Sequence, residues 1–163
     1  MLKMTDTGLM AEHLVIHDGV MHRLMDNKLH VQDEKLREII SKQIDILKDH
    51  AVTMSKMLGA EESINFDDKN TNTDKHASTV YRDRHIALDG MFTANALAKE
   101  NYSHSTVMKN KGVKETHVRM AMDQLEIAKE YEKIIKENKW TVQPSSSSEE
   151  RSQIVKNFKE LIG

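Results

Sequence analysis

The chain has 163 residues with no cysteine, 24 Lys and Arg against 26 Asp and Glu, and a formal charge of −2. That length supports one domain with a full core. The missing cysteine excludes a disulfide framework, a thiolate metal site and a cysteine nucleophile. The absence of a basic surplus argues against nucleic acid and anionic membranes as partners.

Aromatic residues make up only 4% of the chain, whereas there are 11 methionines. Such a core is built from Leu, Ile, Val and Met on helices rather than from aromatic and β-branched pairs in sheets. Met1 to Asp6 lacks the charged-then-apolar pattern of a secretion signal. No apolar run approaches the roughly 20 residues that span a bilayer. The expected location is the cytoplasm of the cell that makes the protein.

In chain order, the first helix is predicted from about Asp6 to Asn27, with Leu9, Met10, Leu14, Ile16, Val20, Met21 and Leu24 at helical spacing. A connector, Lys28 to Gln32, precedes Asp33, a good N-cap, with Glu34 in the first turn. The second helix runs to Leu58 and carries Leu36, Ile39, Ile40, Ile44, Leu47, Ala51, Met54 and Leu58 on one face, with His50 between Leu47 and Met54 on the same stripe. Gly59 is the expected left-handed residue after it.

Residues 60–79 are polar and turn-rich. A loop of this length has a use if it carries the chain back along the bundle, which takes about 12 extended residues at about 3.3 Å each. A third helix is predicted from Val80 to Met108, with Tyr81, His85, Leu88, Phe92, Ala96 and Tyr102 inward. Gly90 within it costs about 1 kcal/mol relative to Ala. Asn110 caps a fourth helix whose interior line is Val113, His117, Met120, Gln124, Ile127, Tyr131 and Ile134. It ends near Asn138, before the only tryptophan, Trp140, and the only proline, Pro144.

Asp33-x-x-Leu36-Arg37-Glu38 parallels Asn110-x-x-Val113-Lys114-Glu115. The parallel fits two similar helical hairpins, and equally any two capped amphipathic helices. Ser145 to Ser148 reads as a linker, and Glu149 to Ile162 as a short amphipathic helix with Ile154, Val155, Phe158, Leu161 and Ile162 on one side. Helices this short are marginal alone. The expected organisation is a four-helix bundle over residues 1–144, followed by a linker and C-terminal helix over 145–163. Short, long, short connections point to an all-α, ferritin-like antiparallel bundle with a long crossover between helices 2 and 3, the alternative being an up-down-up-down bundle with a loose middle loop.

Bundles of that type commonly hold two metal ions on paired Glu-x-x-His motifs. No Glu-x-x-His occurs here, which argues against a di-iron oxidase of the usual kind. The nine histidines leave one route to a metal. His13 and His17 share a helix face, as do His85 and Asp89, while His50 and His117 lie on core lines. Imidazoles with one carboxylate would suit zinc or iron.

The plainer reading has His13, His50 and His117 partly buried and hydrogen-bonded, with His85 paired to Asp89. It leaves His22, His30, His76 and His104 in solvent. On that reading there is no catalytic, cofactor-binding or metal residue and no cofactor. Met21, Met54, Met120 and Met122 fit core filling better than a copper site or a partner surface. No phosphate loop, serine-nucleophile elbow or nucleic-acid module is present.

Three segments resemble the spore coat protein F-like (Coat F) family of spore-forming Bacilli. They are Glu12-His13-Leu14-Val15-Ile16-His17-Asp18, Leu36-Arg37 just after the second cap, and helix 4 running into Lys139-Trp140-Thr141-Val142-Gln143-Pro144. The resemblance covers about residues 9–144. Family members often carry proline just after the helix cap; Glu34 and Lys111 stand there in this chain, so it would be a divergent member. The resemblance implies a ferritin-like bundle of the spore coat with no catalytic residues to carry over. The expected function is therefore structural and non-enzymatic, by helix packing, with other coat proteins or a second copy as partners. The protein would be made in the mother-cell cytoplasm and then placed in the coat. The alternative is a ferritin-like metal-binding protein with a His-rich, non-standard core site.

Overall fold

The computed structural model describes residues 1–60, 79–141 and 146–162, with residues 79–81 and 158–162 described by backbone alone. Five helices and no strand occur among them: α1 Met4–His30, α2 Glu34–Met57, α3 Thr79–Val107, α4 Lys111–Glu137 and α5 Ser148–Ile162. The first four form the expected all-α bundle. None is long and apolar enough to cross a membrane.

The predicted caps are in place. Asp33 accepts from Leu36 N at 3.0 Å, and Asn110 from Val113 N at 3.1 Å. Gly59 closes α2 with φ +87°, a conformation that costs glycine nothing. At the end of α4, Lys139 takes φ 56°. Trp140 N then donates back to Ile135 O at 2.9 Å, and the indole packs half-buried on the larger apolar cluster. The Trp140 half of the predicted helix stop is thus seen, while Pro144 and the 61–78 connection lie outside the described residues.

Two buried aspartates fix the topology. Asp83, near the start of α3, accepts from Gln32 N at 3.0 Å and Asp33 N at 2.8 Å, in the α1–α2 turn. Asp6, near the start of α1, accepts from Lys109 N at 2.7 Å and Asn110 N at 3.3 Å, in the α3–α4 turn. The starts of α2 and α3 therefore share one end of the bundle, so these two helices run parallel. The short turns make α1 antiparallel to α2 and α3 antiparallel to α4.

Every participant in the second contact lies 77 positions from its counterpart in the first: Asp6 and Asp83, Gln32 and Lys109, Asp33 and Asn110. The same offset pairs buried residues along the helices, such as Val31 with Met108, Leu36 with Val113, Ala51 with Ala128 and Met54 with Tyr131. The hairpins therefore repeat one another, and each carboxylate closes the turn of the other hairpin. Hydrogen bonds to a charged group are worth about 1.5–3 kcal/mol. Replacing Asp83 by Ala is expected to lower stability by about 2 kcal/mol, with Asp83→Asn losing less because an acceptor remains. Thermal denaturation of the three proteins checks this, and equal midpoints would remove Asp83 from the topology argument.

The predicted core lines of α2 and α4 are buried, from Leu36 to Met54 and from Val113 to Ile134. The face of α3 differs from expectation. Phe92 and Tyr102 are 66% and 60% exposed, and His85 and Ala96 are exposed too. The buried face instead carries Asp83, Ile86, Ala87, Gly90, Ala94, Leu97, Ala98 and Asn101. The reason is steric. Tyr131 of α4 lies directly over Gly90, so the interface needs small residues on α3 and has no room for Phe92 or Tyr102.

Candidate functional site

The middle of the α1 stripe is not apolar. Its buried residues are Asp6, Met10, His13, His17, Met21 and Leu24, which puts two histidines one turn apart on the face that enters the core. α2 contributes His50, α3 contributes His104, and α4 contributes His117. The rings form one chain. His13 stacks on His104 with centroids 4.5 Å apart and on His117 at 5.1 Å. His17 lies 6.0 Å from His13 and 5.8 Å from His50. His13, His17 and His117 are fully buried, and His50 is 3% exposed.

The hydrogen bonds settle which nitrogens face inward. His17 Nδ1 donates to the His13 carbonyl at 2.8 Å, and His117 Nδ1 to the Val113 carbonyl at 2.9 Å. His50 Nε2 donates to Asp123 Oδ2 at 3.0 Å. In a neutral imidazole the second nitrogen is then a lone pair. Those second atoms, His17 Nε2, His117 Nε2 and His50 Nδ1, are buried without a hydrogen-bond partner among the described residues. His13 has none at either nitrogen, and His104 none at Nδ1.

His13, His17, His50 and His117 are held neutral. Burial, with His117, His104, His17 and His50 around it, pulls the His13 pKa down to about 3. Burial and then His50 pull His17 to about 4, against the bond to the His13 carbonyl. Burial also lowers His50 and His117, opposed by Asp123 and by the Val113 carbonyl respectively. Next to the rings, burial would raise the Asp6 carboxyl, but the N–H groups of Lys3, Lys109 and Asn110 hold it below its ordinary value.

The sequence expected His13, His50 and His117 partly buried and hydrogen-bonded; all three are buried, His17 joins them, and His13 lacks the expected hydrogen bond among the described residues. The structure corrects three further assignments. His104, expected in solvent, stacks on His13, because α3 is rotated from the predicted face. His30 is half-buried and bonded to the Asp26 carbonyl at 2.8 Å. His85 is exposed, and Asp89 pairs with Arg23 at 3.4 Å rather than with His85. His76 lies outside the described residues. Met21, Met54 and Met120 are core filling as read, whereas Met122 is 53% exposed. A surface cleft of about 370 Å³, lined by Asp49, His50, Thr53, Thr116, Arg119, Met120, Met122 and Asp123, reaches the His50 end of the ring chain.

The fold and site define an all-α helical bundle with a histidine-lined core. No family model matches the chain, and neither does any curated protein sequence. Among solved structures, the chain is similar to that of a candidate spore coat protein from Bacillus halodurans C-125. The TM-score is 0.72 at 14% identity, over 90% of this chain and 96% of that one. Likeness at this identity shows a shared fold.

Proposed function

We propose that the chain is a non-enzymatic structural and assembly protein of the bacterial spore coat, similar to Coat F proteins and acting by helix packing. It would be made in the mother-cell cytoplasm and then join the coat. The observation that carries the reading is the match of nearly the whole chain, end to end, to the fold of the candidate coat protein from Bacillus halodurans. The parallel α2 and α3, each in its own antiparallel hairpin, support the ferritin-like reading that the Coat F resemblance implies, without the Glu-x-x-His pairs.

The reading divides the chain into a bundle, residues 1–144, and a linker with its helix, residues 145–163. On α5, Ile154 and Val155 are 67% and 53% exposed. A helix this short keeps its shape best when its apolar side is covered. Its docking residues would be Ile154, Phe158 and Leu161, and its partner another coat protein or a second copy. Phe92 and Tyr102 add exposed aromatic area on α3.

The test is a fluorescently tagged chain followed through sporulation, beside one truncated after Pro144. The full chain is expected to collect at the forespore surface and the truncated chain to remain in the mother cell. Uniform vegetative expression with no coat signal rejects the coat role. A truncated chain that still reaches the coat rejects the role of α5.

A further inference from the structure

The repeat supplies a control for the histidines. At the same offset of 77, His13 pairs with Gly90, His17 with Ala94, His50 with Ile127, and His117 with Ile40. All eight positions are buried. At each of these four pairs the equivalent position in the other hairpin is filled by Gly or an apolar residue, so the packing scheme does not demand imidazole. Where the imidazoles stand, their lone pairs point into the core without donors, which costs about 1–3 kcal/mol for each unsatisfied atom. Such a cost is expected where the lone pairs have a ligand to meet.

His13, His104 and Glu100 come closest to providing a donor set. One ligand atom from each lies within 4.8 Å of the others. Glu100 and His104 are four apart on α3, so both project from one face. His13 is fully buried, while Glu100 and His104 are half-buried and give the site a route to solvent. His117, whose Nδ1 is tied to the Val113 carbonyl, stacks on the His13 ring at 5.1 Å and keeps a buried, unpartnered Nε2. A backbone acceptor on the far nitrogen is the usual way to orient a histidine ligand.

We propose that His13, His104 and Glu100 bind one divalent transition-metal ion of the zinc class, with His117 as the fourth ligand. Two or three imidazoles and one carboxylate in a cysteine-free site suit such an ion. Calcium and magnesium prefer all-oxygen sets. To reach Zn–N distances of about 2.0–2.1 Å, the stacked His13 and His104 rings must turn apart about χ2, a broad torsion. The proposal is independent of the coat role, since a coat protein with or without a metal packs its helices alike.

The experiment starts from full-length chain stripped with chelator and dialysed, titrated with zinc chloride by calorimetry and with cobalt(II) by visible absorption. One equivalent of zinc per chain is expected, with a Kd at or below about 1 µM and tetrahedral cobalt bands. Glu100→Gln and His104→Asn change half-buried side chains and should fold. Each is expected to weaken zinc on the order of 100-fold, judged against the 10–100-fold effects of lost supporting residues. His13→Leu should abolish binding, with circular dichroism confirming its fold. His22→Ala and His85→Ala, at exposed rings, should bind as the parent does. No saturable binding below about 100 µM, or zinc affinity unchanged in both Glu100→Gln and His104→Asn, overturns the site.

Discussion

In the presence of chelator, the protein is expected to lose most of its stability between pH 6.5 and pH 4. The cause is the buried ring chain. At neutral pH, His13 and His17 are uncharged in the folded and unfolded chains alike, and the folded state keeps its full stability. As the pH falls below about 6.5, the unfolded chain takes up protons that the folded chain refuses until about 3 for His13 and about 4 for His17. More protons on the unfolded side means that stability falls with falling pH. Each such group costs up to about 1.4 kcal/mol per pH unit. Two of them over two pH units amount to several kcal/mol, a large part of the 5–15 kcal/mol typical of a domain.

The groups around the rings set the detail. His13 faces His117, His104 and His17, so the first proton taken up makes the next less favourable. His50 faces Asp123, which works against its burial and moves its share of the loss nearer to neutral pH. Urea unfolding at a series of pH values measures the slope. His13→Leu is expected to reduce the slope by up to about 1.4 kcal/mol per pH unit and to raise stability at pH 5. A midpoint that stays constant from pH 7 to pH 5 would refute the neutral, buried state of these rings.

The parts of the fold that sequence showed well are those where one signal acts alone. Asp33 and Asn110 are caps because their side chains mimic a backbone acceptor. The lines of α2 and α4 were legible because Leu, Ile and Val recur at three and four. Gly59 was legible as a left-handed stop. On α3 two signals conflicted: large aromatics ordinarily mark the core, but the close approach of α4 reserved that face for Ala87, Gly90, Ala94 and Ala98. With the face misplaced, His104 was assigned to solvent, although its spacing of four from Glu100 matches that of His13 and His17. The 77-residue repeat was visible only at its caps. Asp6 and Asp83 look like ordinary surface acids until their N–H partners, 103 and 51 residues away, are known.

Gly90→Ala is expected to destabilise the bundle although alanine is the better helix former. On helix propensity alone, the change should gain about 1 kcal/mol. A methyl group built at Gly90, however, overlaps the Tyr131 ring and lies 2.8 Å from its hydroxyl oxygen. That ring has nowhere to go. Tyr131 is fully buried and its hydroxyl donates to Gln43 Oε1 at 2.8 Å. Moving it breaks this hydrogen bond and leaves a second polar atom of Gln43 unpartnered, since Gln43 Nε2 already has no partner among the described residues. Overpacking a tight core typically costs 1–3 kcal/mol, and a buried hydrogen bond lost adds about 1 kcal/mol. Set against the propensity gain, a net loss of about 1–3 kcal/mol follows, with α3 and α4 the helices pushed apart. The cycle with Tyr131→Leu separates clash from propensity. Tyr131→Leu alone should destabilise by opening space beside Gly90, whereas Gly90→Ala in the Tyr131→Leu background should be neutral or stabilising, because the methyl then fills that space. If Gly90→Ala costs the same in both backgrounds, the clash with Tyr131 is not what reserves this face of α3 for small residues.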